Sequence, residues 1–189
     1  DAEHIRRISL ETRDIYAPLA ARFGMARIQR ELDVLAFECL EPEEAERIRD
    51  LLRTTRPERD AYIEEIAGPI RDKLEGEGVT ATISGRVKHL ASIHRKMSER
   101  KKRLEEICDL IAVRIITDSV GACYRVLGVV HTLFTPMHDR IKDYIAAPKV
   151  NGYRSLHTTV IGPRGHLVEI QIRSEEMHEE AEVGIAAHW

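Results

Sequence analysis

The chain has 189 residues, 43% of them hydrophobic, and a net charge of only −3, enough for one buried core with a helical extension. No apolar run approaches the roughly 20 residues that cross a bilayer, and Asp1-Ala2-Glu3-His4 opens without the basic-then-apolar pattern of a signal peptide. Cys39, Cys108 and Cys123 are odd in number and form no C-x-x-C pair, which excludes a disulfide framework or a cysteine zinc site and points to a reduced, cytoplasmic protein. The absence of an initial Met is what a fragment or a processed chain would show.

From His4 to about Glu75 the pattern is helical. Leu32, Leu35, Ala36, Cys39 and Leu40 recur at helical spacing, as do Ile48, Leu51 and Leu52. Gly24 marks a break, and Glu41-Pro42-Glu43-Glu44 reads as a helix start, with Pro and carboxylates in the first turn. Gly76-Glu77-Gly78 then punctuates the chain, so residues 1–75 are expected to form a helical segment and 76–189 a second domain. Val79–Ile83 alternates as a strand that Gly85 ends, and a helix follows from about Lys88 to Arg103. Leu110–Thr117 suits a buried strand, and Val120–Phe134 a helix with Val126, Leu127, Val130, His131 and Phe134 on one face. Ser155–Ile161 and His166–Arg173 read as strands joined by a turn at Gly162-Pro163-Arg164-Gly165. A helix from Glu175 to Trp189 closes an α/β (α+β) sheet domain behind a helical bundle.

Charge is unevenly spread. Residues 85–154 hold 14 Lys/Arg against 7 Asp/Glu, while the rest holds 15 against 25. An anionic ligand for the middle of the chain follows, whether nucleic acid or nucleotide phosphate, and a solvated helix with scattered loop charges accounts for the counts equally well. On the helix from Lys88, the residues Lys88, Ser92, Arg95, Lys96 and Glu99 share one face, with Leu90, Ile93 and Met97 opposite. The apolar stripe is expected to pack on the sheet, leaving the cations to converge on phosphates, with Arg86 near the helix N-terminus. An exposed amphipathic helix is the plainer alternative.

The strand His166–Arg173 puts Val168, Ile170 and Ile172 on one side and Glu169, Gln171 and Arg173 on the other. A mid-strand carboxylate makes Glu169 a candidate metal ligand or general base, unless that face is simply solvated. Asp109, just before the apolar run, is the second carboxylate of the best metal-binding pair. Strand parity, however, puts Arg114 on the opposite face from Asp109. From Arg140 to Arg154, cations surround Tyr153 next to the Asn151-Gly152 turn, a combination suited to base stacking, or to ordinary packing of a loop-edge Tyr. No G-x-x-x-x-G-K-[ST] is present, so side chains must hold any phosphates. The neighbours His138-Asp139 stand alone and read as coincidence.

Taken together, Gly85-Arg86-Val87-Lys88-His89 with Ser92 and Arg95-Lys96-Met97, Asp109–Arg114, Arg140-x-Lys142-Asp143-Tyr144-Ile145-Ala146, Pro148-Lys149-x-Asn151-Gly152-Tyr153, Ser155–Thr159, Glu169–Arg173 and Ala186–Trp189 resemble the synthetase domain of the RelA/SpoT family. The resemblance covers essentially the whole chain. It implies a nucleotidyltransferase-like mixed sheet flanked by helices, and transfer of pyrophosphate from ATP to the 3′-hydroxyl of GDP or GTP, giving the alarmones of the bacterial stringent response. By the same resemblance Arg86 and Arg114 sandwich adenine, and Lys88, Ser92, Lys96 and Arg95 hold the donor phosphates. Asp109 and Glu169 carry Mg²⁺, and Glu169 is the base. Tyr153 stacks on guanine, helped by Lys142, Lys149, Asn151, His157 and Gln171. Ribosome or tRNA would be met only through regions outside this chain.

Departures from the family pattern are Cys108 for an aromatic, Ile141 for Phe, and Arg154 for Gln, the last bearing on GDP against GTP. The Arg140-x-Lys142-Asp143 form is similar to that of bifunctional synthetase-hydrolases. The hydrolase metal motif would lie upstream of residue 1, and residues 1–75 hold His4 as their single histidine, so hydrolysis is not expected. Two rivals remain: a catalytically silent domain of the same fold, and an RNA- or DNA-binding module, which only 5% aromatic residues supply poorly with stacking surfaces.

Overall fold

The structure, a computed structural model, describes residues 1–87, 89–100 and 111–184. Helices come first: α1 (Ala2–Glu11), a π-helical turn (Thr12–Tyr16), α2 (Ala17–Arg22), α3 (Ala26–Leu40), α4 (Pro42–Thr54) and α5 (Arg56–Gly76). Then come β1 (Ala81–Val87), α6 (Leu90–Arg100), β2 (Ile111–Thr117), α7 (Val120–Leu133), the two-residue strands β3 (Thr135–Pro136) and β4 (Lys142–Asp143), β5 (Leu156–Ile161), β6 (Leu167–Ser174) and α8 (Glu175–Val183). Asp1 caps α1 by accepting from the Glu3 N–H, Ser119 caps α7 by accepting from the Ala122 N–H, and α4 starts on Pro42 with Glu43 and Glu44 in its first turn. Gly24 and Gly78, both at positive φ, follow the ends of α2 and α5, where the chain must turn left-handed.

Packing divides the chain into two compact units. One holds Asp1–Arg56 with α6 and the end of α8; the other holds Pro57–Val87 with β2 through the start of α8. These units interleave along the chain, so α5 goes with the sheet and α6 with the N-terminal helices.

In the helical unit, α6 packs against α3 and α4. Ile93 is fully buried, and the His94 ring stacks on Phe37 with centroids 4.8 Å apart. The apolar stripe of this helix was expected on the sheet; within its own unit α6 packs on α3 and α4, whose helical faces suit an i, i+3 spacing equally well.

The other unit is built on a six-stranded mixed sheet of order β1-β2-β6-β5-β3, with β4 also paired to β5. The β2–β6 pair is parallel and the other pairs are antiparallel. One face is apolar: Val113, Ile115, Ile170, Ile172, Val168, Leu156 and Val160 are buried under Ile66, Ile70 and Leu74 of α5 and Cys123, Val126 and Val130 of α7. Each such side chain contributes about 1.5–3 kcal/mol relative to exposure, which fixes the register of β2, β5 and β6, since a slip of one residue would reverse the faces.

Gly85 does not end β1, as its position had suggested; the strand runs through it to Val87. A Cβ there would lie 2.3 Å from Ile63 Cδ1, so the glycine is the point of close approach between α5 and the sheet. The turn at 162–165 is a tight 3-10 connection in which Gly162 N–H donates to the His166 carbonyl at 2.8 Å. Tyr62 of α5 donates its hydroxyl to the Pro163 carbonyl at 3.1 Å, and Arg164 pairs with Glu65 at 2.8 Å, which ties this hairpin to α5.

Candidate active site

The face of the sheet opposite α5 and α7 is polar, and strand pairing puts its residues in a row. Arg86 is paired with Ala112, Ala112 with Glu169, Glu169 with Thr159; one step along, Ser84 is paired with Arg114, Arg114 with Gln171, Gln171 with His157, and His157 with Lys142. Paired residues point to the same face, so Arg86, Arg114, Glu169, Gln171, His157 and Lys142, which lie far apart in the chain, share one surface.

Within this row the polar contacts are continuous. Arg86 Nη1 donates to Gln171 Oε1 at 3.2 Å, and the small Ala112 between them in the sheet leaves room for the long side chain to cross. Gln171, only 6% exposed, donates through Nε2 to Glu169 Oε1 at 2.9 Å. A buried amide is costly unless satisfied, and here both of its ends are used. Glu169 Oε1 stands 3.7 Å from His157 Nδ1, too long for a hydrogen bond but close enough for electrostatics. Burial lowers the His157 pKa to about 4 despite the pull of Glu169, and Lys149, Lys142 and Arg173 add to the lowering, so the ring is neutral near pH 7.

His157 Nε2 lies 2.8 Å from the Tyr153 hydroxyl. With the Nδ1 edge turned to a carboxylate, the consistent arrangement has Nδ1 protonated and Tyr153 donating to Nε2. Tyr144 stands edge-on to both Tyr153 and His157, with centroids 6.2 and 5.2 Å away. Lys149 Nζ lies 4.7 Å from the Tyr144 ring centre and 5.1 Å from that of Tyr153. The loop that presents Tyr153 is shaped by Asn151, whose Oδ1 accepts from the Tyr153 N–H, and by Gly152 at φ 79°.

The sheet unit thus gathers Arg86, Arg114, Glu169, Gln171, His157, Tyr153, Asn151, Lys149 and Lys142. Ser92, Arg95 and Lys96 lie on α6 in the helical unit, where the Ser92 hydroxyl meets His89 Nε2 at 2.7 Å. Lys88 and Asp109 fall outside the described residues, as does the motif Ala186–Trp189. The parity of Asp109 relative to Arg114 therefore lies outside the described residues as well. Sequence reasoning passed over Tyr144 and Tyr124; Tyr144 follows Lys142 at the period of a strand, the one signal that could have placed it beside Tyr153.

Among the described residues there is no group of three or more His, Cys, Asp or Glu that could hold a metal, and no helix is long and apolar enough to cross a membrane. Mg²⁺ needs less, since it is held by one or two carboxylates with substrate phosphates and water. Glu169, with its side chain 35% exposed on the polar face, fits as one hard oxygen ligand.

The family described as "Region found in RelA / SpoT proteins" matches residues 85–189, more than half of the chain. The chain belongs to the RelA/SpoT family. Among similar RelA/SpoT relatives, a GTP pyrophosphokinase from Escherichia coli (strain K12) is 48% identical over 95% of this chain and 24% of its own length. The bifunctional (p)ppGpp synthase/hydrolase SpoT of the same strain is 47% identical over 97% of this chain and 26% of its own. This chain therefore spans about a quarter of the length of the curated relatives it matches. Among solved structures, small alarmone synthetase 1 from Bacillus subtilis, bound to its product pppGpp, is similar with TM-score 0.54 and 30% identity over 72% of this chain and 78% of that one. Small alarmone synthetase 2 from the same organism is similar with TM-score 0.55 and 30% identity over 70% and 75%. The mixed α/β fold is thus that of the alarmone synthetases.

Proposed function

We propose that this chain is a (p)ppGpp synthetase, moving the β,γ-pyrophosphate of ATP to the 3′-hydroxyl of GDP or GTP. The observation that carries the reading is the unbroken series of contacts from Arg86 through Gln171, Glu169 and His157 to Tyr153, with a carboxylate at its middle. Arg86 stands at one end, and stackable rings with Lys149 against them at the other, which suits a reaction between two nucleotides.

In this reading, residues 76–189 supply the chemistry and 1–75 the helical lead-in. Tyr153 offers its ring to guanine, and Lys142, Lys149, Asn151, His157 and Gln171 surround the acceptor. Arg86 and Arg114 flank adenine, while Lys88, Ser92, Arg95 and Lys96 belong to the donor phosphates. Glu169 takes the proton of the 3′-hydroxyl as its oxygen bonds to the β-phosphorus; the bond from that phosphorus to the bridging oxygen breaks, and AMP leaves with this oxygen. Gln171 holds Glu169 by its Oε1, so the base is oriented before substrate arrives. Glu169 with Asp109 would hold Mg²⁺, whose chemistry is to neutralise charge on the phosphoryl oxygens. Neutral His157 takes no part of the proton inventory near pH 7 and acts by orienting Tyr153.

The test is incubation with ATP, Mg²⁺ and GDP, followed by chromatography. AMP and guanosine tetraphosphate should appear in equal amounts. ATP left intact, or AMP formed without the tetraphosphate, would reject the assignment.

A further inference from the structure

Lys142 and Tyr144 belong to the pocket, yet they stand on or beside a strand of only two residues at the rim of the sheet. Ladder bonds over Lys142↔His157 and Asp143↔Leu156, with the Tyr144 N–H donating to the Ser155 carbonyl at 3.0 Å, are little to fix two side chains to an ångström. Alternation along this strand turns Asp143 away from the pocket, toward the α7 side. There Tyr124 of α7 donates its hydroxyl to Asp143 Oδ2 at 2.9 Å. The other oxygen, Oδ1, accepts from the N–H groups of Ile145 at 2.9 Å and Ala146 at 2.8 Å, closing the turn that follows.

We propose that Tyr124 is a positioning residue for the acceptor pocket, fixing from behind the sheet, through Asp143, the short strand and turn that set Lys142 and Tyr144. Tyr124 is rigidly mounted: its neighbours Ala122, Cys123 and Val126 on α7 are buried in the core. Tyr124 itself is 40% exposed and lies outside the buried core, and its hydroxyl contact is what the geometry uses. Tyr144 in turn stands against the rings of Tyr153 and His157, so displacement of the turn is transmitted to the stacking residue. Desolvation opposes ionisation of Asp143, but the Ala146 N–H, the Tyr124 hydroxyl and the Ile145 N–H outweigh it and hold the carboxyl below its usual range, consistent with a fully used anchor.

The inference rests on the acceptor reading of this pocket, and two measurements keep them separable. Tyr124→Phe removes the hydroxyl and keeps the ring. Its KM for GDP should rise roughly five- to tenfold, with kcat and the KM for ATP within about twofold of the unaltered chain. In an Asp143→Asn background the same substitution should add little. An unchanged KM for GDP, an equal rise for both nucleotides, or a full effect in the Asp143→Asn background would each overturn the proposal. Hydrogen exchange without nucleotide gives the second measurement: the amides of Ile145 and Ala146 should exchange about tenfold faster in Tyr124→Phe. An unaltered chain that makes no alarmone would reject the proposed function, and the exchange rates would still decide whether Tyr124 holds the turn; equal rates would show that it does not.

Discussion

Ile63 of α5 lies directly over Gly85 of β1, so close that a Cβ on the glycine would come within 2.3 Å of its Cδ1. The helix and the strand touch there through the absence of a side chain. Gly85→Ala should therefore destabilise the fold by about 1–3 kcal/mol, the usual cost of overpacking. Combining it with Ile63→Ala should cost less than the sum of the two single changes, measured by urea unfolding. Strict additivity would mean that the contact is not made.

Glu169 is partly exposed and stands on the polar face, so Glu169→Gln should leave the fold intact while lowering kcat by about 10²–10⁴-fold. Release of AMP from ATP with GDP present is the readout, beside a melting curve. Turnover near that of the unaltered chain, at equal melting temperature, would remove Glu169 from the chemistry.

Tyr153 can be dissected in two steps. Tyr153→Ala should cost about 1–3 kcal/mol of GDP binding by calorimetry, and Tyr153→Phe less, since the ring remains and only the contact with His157 is lost. ATP binding should hardly change in either variant. Equal losses for both nucleotides would place the ring outside the acceptor pocket.

His131 offers a pH test away from the pocket. Its Nε2 lies 2.9 Å from the Thr158 hydroxyl, and burial, with a smaller push from His138, lowers its pKa below the ordinary 6.5. As pH falls below 6.5 the unfolded chain takes up a proton that the folded chain resists, so this contribution to stability is present above that pH and is lost on acidification. His131→Gln should flatten the decline in unfolding free energy between about pH 7 and 5. A slope unchanged by the substitution would assign the acid sensitivity to other groups.

The long elements were readable because their periodicity is strong. The described part of Leu110–Thr117 is β2, Val120–Phe134 corresponds to α7 within a residue, and the alternation of Val168, Ile170 and Ile172 against Glu169, Gln171 and Arg173 gave both faces of β6. The strands β3 and β4 were not readable, because two residues cannot show a period of two. The same limit hid Tyr124, whose role depends on which helix lies behind which strand. Gly85 misled for a physical reason: a glycine marks a turn or a close approach equally well, and the deciding partner, Ile63, lies 22 positions upstream. The packing partner of α6 was equally out of reach, since an apolar stripe states that a helix is covered and not by what.

The parallel pairing of β2 with β6 has a consequence for how the molecule comes into being. Ala112 and Glu169 lie side by side, but 57 positions separate them in the chain, and β5, β4 and α7 all come between. The chain must close this long loop before the carboxylate has its neighbours, a step that is slow relative to hairpin formation. A nascent chain released only as far as β5 carries the cations of β1 and β2 and the rings of the 144–157 segment without the residue meant to use them. Chemistry at the proposed site is therefore expected to wait until β6 has emerged and paired with β2.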